Sequence, residues 1–150
     1  LIDCNKLLQE ILDDMHVLVK ESNADIKSDN LPFLKGHYSE IKSIFQNLIS
    51  NGIKYRKKDI QLSINIAVQN KDDEWLFSFT DNGIGIPKEH LHRIFERFYR
   101  VDKSRSRELG GTGLGLAIVK HILEAHNQTI KVESEEGKGT VFSFGLEKVG

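Results

Sequence analysis

The sequence predicts an α/β fold in which antiparallel hairpins build one sheet and helices cover one face of it. Three observations carry this. From Ser39 to Tyr55, the apolar residues Ile41, Ile44, Phe45, Leu48 and Ile49 recur at i, i+3, i+4, i+7 and i+8, the single stripe of an amphipathic helix. Ile60, Leu62, Ile64, Ile66 and Val68 alternate with Gln61, Ser63, Asn65, Ala67 and Gln69, the pattern of a half-buried strand. Leu116, Ala117, Ile118, Val119, Ile122 and Leu123 are apolar nearly all round, so the helix they form packs on more than one side.

The remaining elements follow in order. Leu7, Leu8, Ile11, Leu12 and Met15 predict a first helix from about Asn5, with Asp3 or Asn5 as its cap. Residues 21–36 are polar, contain Pro32 and Gly36, and read as a short strand and loop. The helix over 39–55 is a core element, each of its five stripe residues contributing roughly 1.5–3 kcal/mol before conformational entropy is set against it. After the alternating strand, Asn70 to Asp73 turns the chain and Trp75, Phe77 and Phe79 alternate into a second strand. Pro87 opens a further helix on Leu91, Ile94, Phe95 and Phe98. Tyr99 to Leu109 has no apolar period but holds Arg100, Lys103, Arg105 and Arg107; it reads as a mobile basic loop or a solvated linker. Ile130 and Val132, then Phe142, Phe144 and Leu146, close the chain as a hairpin across Glu135 to Gly139.

Composition bounds the function classes. A chain of 150 residues with 39% hydrophobic and 29% charged residues is one ordinary globular domain, able to bury about 70% of its unfolded surface. A net charge of −1 argues against nucleic-acid or anionic-membrane binding. Cys4 is the only cysteine, so no intrachain disulfide forms, in keeping with a reducing, cytoplasmic compartment. No apolar run approaches the ~18 residues of a membrane span, so no direct membrane insertion is expected. A start at Leu1 rather than Met reads as a piece of something longer, whose remainder could carry an anchor.

Asn47, Asn51 and Lys54 stand at i, i+4 and i+7, a second row along the edge of the apolar stripe. Two carboxamides and an ammonium half-sunk beside a core need partners. On the residues alone they are either solvated surface groups or one wall of a site. The turn Asp81-Asn82-Gly83-Ile84-Gly85-Ile86 comes next, then Phe95-Glu96-Arg97-Phe98-Tyr99-Arg100, then Gly110-Gly111-Thr112-Gly113-Leu114-Gly115-Leu116. The last is not a Walker P-loop, since no Gly-Lys-Ser/Thr follows, nor a Rossmann fingerprint, since no βαβ crossover precedes it. An Asn-x-x-x-Asn helix, a DxGxG turn, a phenylalanine box and a GGTGLGL turn, in this order, resemble the catalytic ATP-binding domain of sensor histidine kinases. That domain belongs to the superfamily shared with DNA gyrase, MutL and the ninety-kilodalton heat-shock chaperone. The resemblance spans Leu1 to about Leu146 and implies a two-layer α/β sandwich with a mixed, mostly antiparallel sheet covered on one face by helices.

The resemblance also implies roles. Asp81 would accept a hydrogen bond from the exocyclic amine of adenine, which a carboxylate suits and guanine lacks, with Gly83, Gly85 and Ile86 curving beneath the base. Gly111, Thr112, Gly113, Leu114 and Gly115 would offer backbone N–H groups at a helix start to anionic phosphate oxygens. Asn51, assisted by Asn47, would hold Mg²⁺ through amide oxygens. Lys54 and Tyr55 would face the phosphates of ATP, and Arg100 would stabilise charge on the γ-phosphate. In the gyrase and chaperone branch a glutamate at the position of Asn47 activates water; this chain lacks that base. Phe95 and Phe98 are expected to pack a hinge. The six histidines precede Val17, Tyr38, Leu91, Arg93, Ile122 and Asn127, none acidic, so none matches the family's phosphoacceptor motif; His16, His90 and His92 read as surface residues. The implied partners are the dimerisation and histidine-phosphotransfer domain of the same kinase and, downstream, the receiver domain of a response regulator. An anti-sigma-type serine kinase and a degenerate nucleotide-binding interaction module are the alternatives. Three positions depart from the family pattern: Gly52 for alanine, at roughly 1 kcal/mol to the helix, Asn127-Gln128 for a glycine pair, and His37 for aspartate.

Overall fold

The alternating stretch is strand β4 (Ser63–Asn70) of a computed structural model that describes residues 1–101 and 113–149. The other described strands are β1 (Ile2–Asp3), β2 (Asp25–Ser28), β3 (Phe33–Leu34), β5 (Glu74–Asp81), β6 (Ile130–Glu135) and β7 (Gly139–Glu147). The described helices are α1 (Cys4–Asp14), α2 (His16–Glu21), α3 (Tyr38–Lys54) and α4 (Gly115–Ala125). The main sheet runs β2-β4-β5-β7-β6, with β2 parallel to β4 and every other pair antiparallel, while β1 and β3 form a separate antiparallel pair. This is the mixed, mostly antiparallel sheet expected.

Ile64 and Ile66 of β4, Phe77 and Phe79 of β5, and Phe142, Phe144 and Leu146 of β7 are buried against the helices, and Asn65 and Gln69 face away from them. Phe45, on the predicted stripe of α3, meets Phe77 and Phe79 edge-on at ring separations of 5.7 and 5.2 Å, and Phe77 stacks on Phe144 at 5.5 Å. Such pairs add about 0.5–1.5 kcal/mol each beyond area burial. α3 packs against both α1 and α4. Asp3, one of the two caps proposed, receives Asn5 N at 3.1 Å and Lys6 N at 3.3 Å. Asn127 takes a left-handed φ of 58° after α4, as its place in the sequence suggests.

Three expectations change. The ladder of β4 begins at Ser63, because β2 and β5 flank it only from there, and Ile60 stays 45% exposed despite its place in the alternation. The helix expected from Pro87 is a 3₁₀ turn at Lys88–His90 followed by further turns. His90, Leu91, Arg93, Glu96 and Tyr99 each donate their backbone N–H to the carbonyl three residues back. Three residues per turn place Leu91 and Ile94 on one side, so the i, i+3 pattern is met without an α-helix. Phe95 packs on Phe142, but Phe98 takes a φ of +65° and is 68% exposed, its N–H bonded to Gly113 O at 2.7 Å. Of the basic loop, residues 102–109 lie outside the described residues, as do Gly110, Gly111 and Thr112. No described helix is long and apolar enough to cross a membrane.

Two outcomes follow from this core. Phe45→Ala removes the ring shared by two aromatic contacts, and should cost about 3–5 kcal/mol, seen as a lower urea midpoint with an unchanged slope. Cys4 is fully buried, and burial, with the charge of Asp3 adding, pushes its thiol up to about 12; it should stay silent to a thiol reagent near neutral pH until the chain is unfolded.

Candidate functional site

The carboxamide row of α3 faces a cleft. Asn47, Asn51, Lys54 and the C-cap residue Tyr55 form one wall; Ile84, Gly85 and Ile86, from the turn after β5, form another. Tyr99, Arg100 and Val101 enter from the segment after the 3₁₀ turn, and Gly113, Gly115 and Leu116 from the start of α4. The free space they bound, including its open mouth, is about 730 Å³, within the usual range of small-molecule sites.

Asn47 Nδ2 donates to Ser43 O at 2.8 Å and to Ser43 Oγ at 3.2 Å. With both hydrogens engaged, its Oδ1 is turned toward the start of α4, 2.8 Å from where a Cβ on residue 115 would stand. Glycine at 115 is what lets the two helices meet here. Asn51 sits one turn later, half-buried. Burial, and then the charge of Arg100, holds the Lys54 ammonium below the usual lysine range. Among the described residues, neither Lys54 nor Arg100 has a carboxylate partner. Two cations facing each other across a half-buried cleft favour an anion between them.

Asp81, Gly83 and Leu114 do not line this cleft. Leu114 is the N-cap of α4 between two glycines that do. Asp81 ends β5 beneath the last turns of α3, its Cβ 3.7 Å from the Cβ position of residue 52. Its Oδ1 accepts from Gly83 N at 2.9 Å, and the backbone N–H of Thr140, its neighbour across the ladder, also donates to it. Burial outweighs both bonds and raises the carboxyl to about 6. Gly111 and Thr112 lie outside the described residues.

The turn after Asp81 is clamped on several sides. Ile84 N donates to Tyr55 O at 2.9 Å, Gly137 N to Ile84 O at 2.7 Å, and Ile86 N to Ser134 Oγ at 2.8 Å. Gly85 holds a φ of +74°, and a Cβ there would fall 2.2 Å from Glu135 O. Asn82 accepts from Ser63 N at 2.8 Å through Oδ1 and donates to Gln61 O at 3.0 Å through Nδ2, tying the turn to the start of β4. Asn82, Ser134, Thr140 and Tyr99 thus belong to the site or its support, and the sequence reading assigned them no role. Asn82 and Tyr99 lie inside quoted motifs and could have been found there. Ser134 and Thr140 join only through strand register, which leaves no local signal.

Among the described residues no group of three His, Cys, Asp or Glu could hold a metal ion. The cleft's side-chain oxygens are the amide oxygens of Asn47 and Asn51 and the hydroxyls of Ser50, Tyr55 and Tyr99, with no carboxylate among its described lining. That donor set fits Mg²⁺, a hard cation that takes few protein ligands and shares its shell with water and phosphate.

Residues 36–149 match the family described as histidine kinase-, DNA gyrase B-, and HSP90-like ATPase. The chain is 40% identical over 137 residues to the sensor histidine kinase WalK of Bacillus subtilis (strain 168), covering 89% of this chain and 22% of WalK. Its fold is similar to the catalytic domain of histidine kinase ThkA, with a TM-score of 0.79, 27% identity, and coverage of 98% of this chain and 93% of that one. It is also similar to full-length ShkA solved in complex with AMPPNP, with a TM-score of 0.79, 26% identity, and coverage of 97% and 30%. The chain spans about a fifth to a third of the length of the curated relatives it matches. With one family covering most of its length, and the cleft built from the elements that carry the quoted motifs, this chain belongs to the histidine kinase-, DNA gyrase B- and HSP90-like ATPases.

Proposed function

We propose that this chain is the catalytic and ATP-binding domain, over residues 1–150, of a sensor histidine kinase. In this reading it binds Mg-ATP and donates the γ-phosphate to a histidine on a separate dimerisation domain, on the cytoplasmic side, for onward transfer to a response regulator. The observation that carries the reading is the polarity of the site. Lys54 and Arg100 meet across the cleft without a described carboxylate partner, while the one deeply set carboxylate, Asp81, lies beneath the helix that lines it. An adenine nucleotide has the matching polarity, a donor amine at one end and anionic oxygens at the other.

The chemistry assigned to each group follows. Asp81 accepts from the exocyclic amine, and its raised pKa is offset when that donor arrives. Gly85 and Ile86 pack under the base, with Asn82 and Ser134 holding their turn. Lys54 and Tyr55 face the phosphates, together with the backbone at the start of α4, including Gly113, Leu114 and Gly115. Asn51 and Asn47 would hold Mg²⁺ through their amide oxygens, and the bound ion would offset phosphate charge. Arg100 stabilises negative charge on the γ-phosphate oxygens as the bond to the bridging oxygen of the leaving ADP breaks and a bond to the acceptor nitrogen forms. With an amide at position 47, no carboxylate stands there to draw a proton from water, which favours transfer over hydrolysis.

Asp81→Ala should weaken ATP by about 1.5–3 kcal/mol, the scale of a hydrogen bond to a charged group, and erase the preference over GTP; equal ATP affinity in calorimetry would overturn the assignment. The ionised carboxyl accepts the amine far more strongly than the protonated acid does, so wild-type affinity should be level above its pKa of about 6. It should fall as the pH drops below that point, by roughly tenfold from pH 7 to pH 5, and Asp81→Asn should lose this slope. Asn51→Ala should weaken ATP far more in magnesium than in chelator; the same loss in both would make Asn51 structural. The reading as a whole is tested by transfer from ATP to a supplied histidine-phosphotransfer domain. Binding without transfer to it would leave an interaction module instead.

A further inference from the structure

We propose that His90 is a positioning residue that acts through Tyr99 to hold Arg100 in the cleft. The proposal rests on the reading above that Arg100 meets the terminal phosphate. The train of three-residue turns ends at Tyr99, whose N–H donates to Glu96 O at 3.2 Å. A hydrogen bond joins the Tyr99 hydroxyl to Nδ1 of His90, with the two rings 5.7 Å apart. The Arg93 guanidinium lies over the Tyr99 ring, 4.6 Å from its centroid, and is itself held by Glu96, Nε to Oε2 at 2.8 Å. Four side chains within ten residues of chain thus satisfy one another around a single ring, and His90, read as a surface residue from the sequence, is half-buried.

The position of this cluster gives it a task. Just before Tyr99, Phe98 turns the chain through a left-handed φ of +65°, a conformation a bulky residue adopts only where its surroundings impose it. Immediately after it, Arg100 enters the cleft that Lys54 also lines, and the two cations repel, an effect that adds to burial in lowering the Lys54 pKa. Without an anion between them, electrostatics favours Arg100 swinging out to water. An anchored Tyr99 opposes that swing, because the residue next to it has its backbone direction set. The cluster therefore holds Arg100 ready before the triphosphate arrives, so that less ordering is left to be done on binding.

The test is calorimetry of ADP and AMPPNP on the full chain, read as the ratio of the two dissociation constants. His90→Ala should lower the preference for AMPPNP about threefold to tenfold, the scale of one hydrogen bond, and leave ADP affinity unchanged. His90→Gln, whose amide can still bond the Tyr99 hydroxyl, should keep most of the preference. In an Arg100→Ala background His90→Ala should have no further effect, since the two act as one unit. Equal losses for ADP and AMPPNP, or an effect that persists without Arg100, would overturn the proposal. Arg100→Ala that leaves the ratio at its wild-type value would overturn the phosphate reading itself. A lowered ratio in Arg100→Ala with none in His90→Ala would overturn only the positioning role.

Discussion

Helix α3 touches the sheet at Gly52 so closely that a Cβ there would stand 3.0 Å from Ile64 Cδ1 and 3.7 Å from Asp81 Cβ. That approach sets the geometry of everything above it. It seats the stripe from Ile41 to Ile53 on the phenylalanines of β5 and β7. It also places Asn51, Lys54 and Tyr55 directly beyond the end of β5. The glycine costs the helix about 1 kcal/mol of propensity. The contact it permits is with the side chain of Ile64 and the Cβ of Asp81 beneath the cleft, so the departure from alanine is matched by packing.

The site holds its charges against their environment. Burial raises Asp81 and lowers Lys54, and the second cation, Arg100, adds to the strain on the first. Both shifts oppose the ionised forms, and both are offset by a ligand that brings a donor to the carboxylate and negative charge to the cations. Without a ligand, both ionised forms are disfavoured around this cleft. Its rigidity comes from elsewhere, from the bonds of the Asp81–Ile86 turn to Tyr55, Ser63, Ser134 and Gly137. The supporting groups are ordinary loop and strand residues, and they do not carry the site's charge.

Much of this was legible from residue pattern. The stripe of α3, the alternation of β4 and β5, the all-round apolar α4 and the closing hairpin are each written in local periodicity, because burial on one face imposes a period of 3.6 or 2. The row Asn47, Asn51, Lys54 was visible for the same reason. Other features had no local signal. Strand β2 pairs parallel to β4 across 38 positions, Asp25 to Ser63, and the short helix α2 buries none of its residues, so neither leaves a period to read. The pattern after Pro87 suits an α-helix and a train of 3₁₀ turns alike, because i, i+3 spacing satisfies both.

By itself the sequence determined which faces are apolar, where the chain turns, and which residue types are set aside from the core, since these follow from burial and backbone sterics within one element. Tertiary structure decided which of those residues meet. Asp81 gained its raised carboxyl only when α3 and the neighbouring strand β7 buried it, against the opposing hydrogen bonds of Gly83 and Thr140. Lys54 and Arg100 became a facing pair only when the turns after Pro87 closed onto the cleft. His90 is half-buried where its ring meets Tyr99, a residue nine positions on. Desolvation and charge pairing depend on distances between elements, and those distances are fixed by packing that no single stretch of sequence contains.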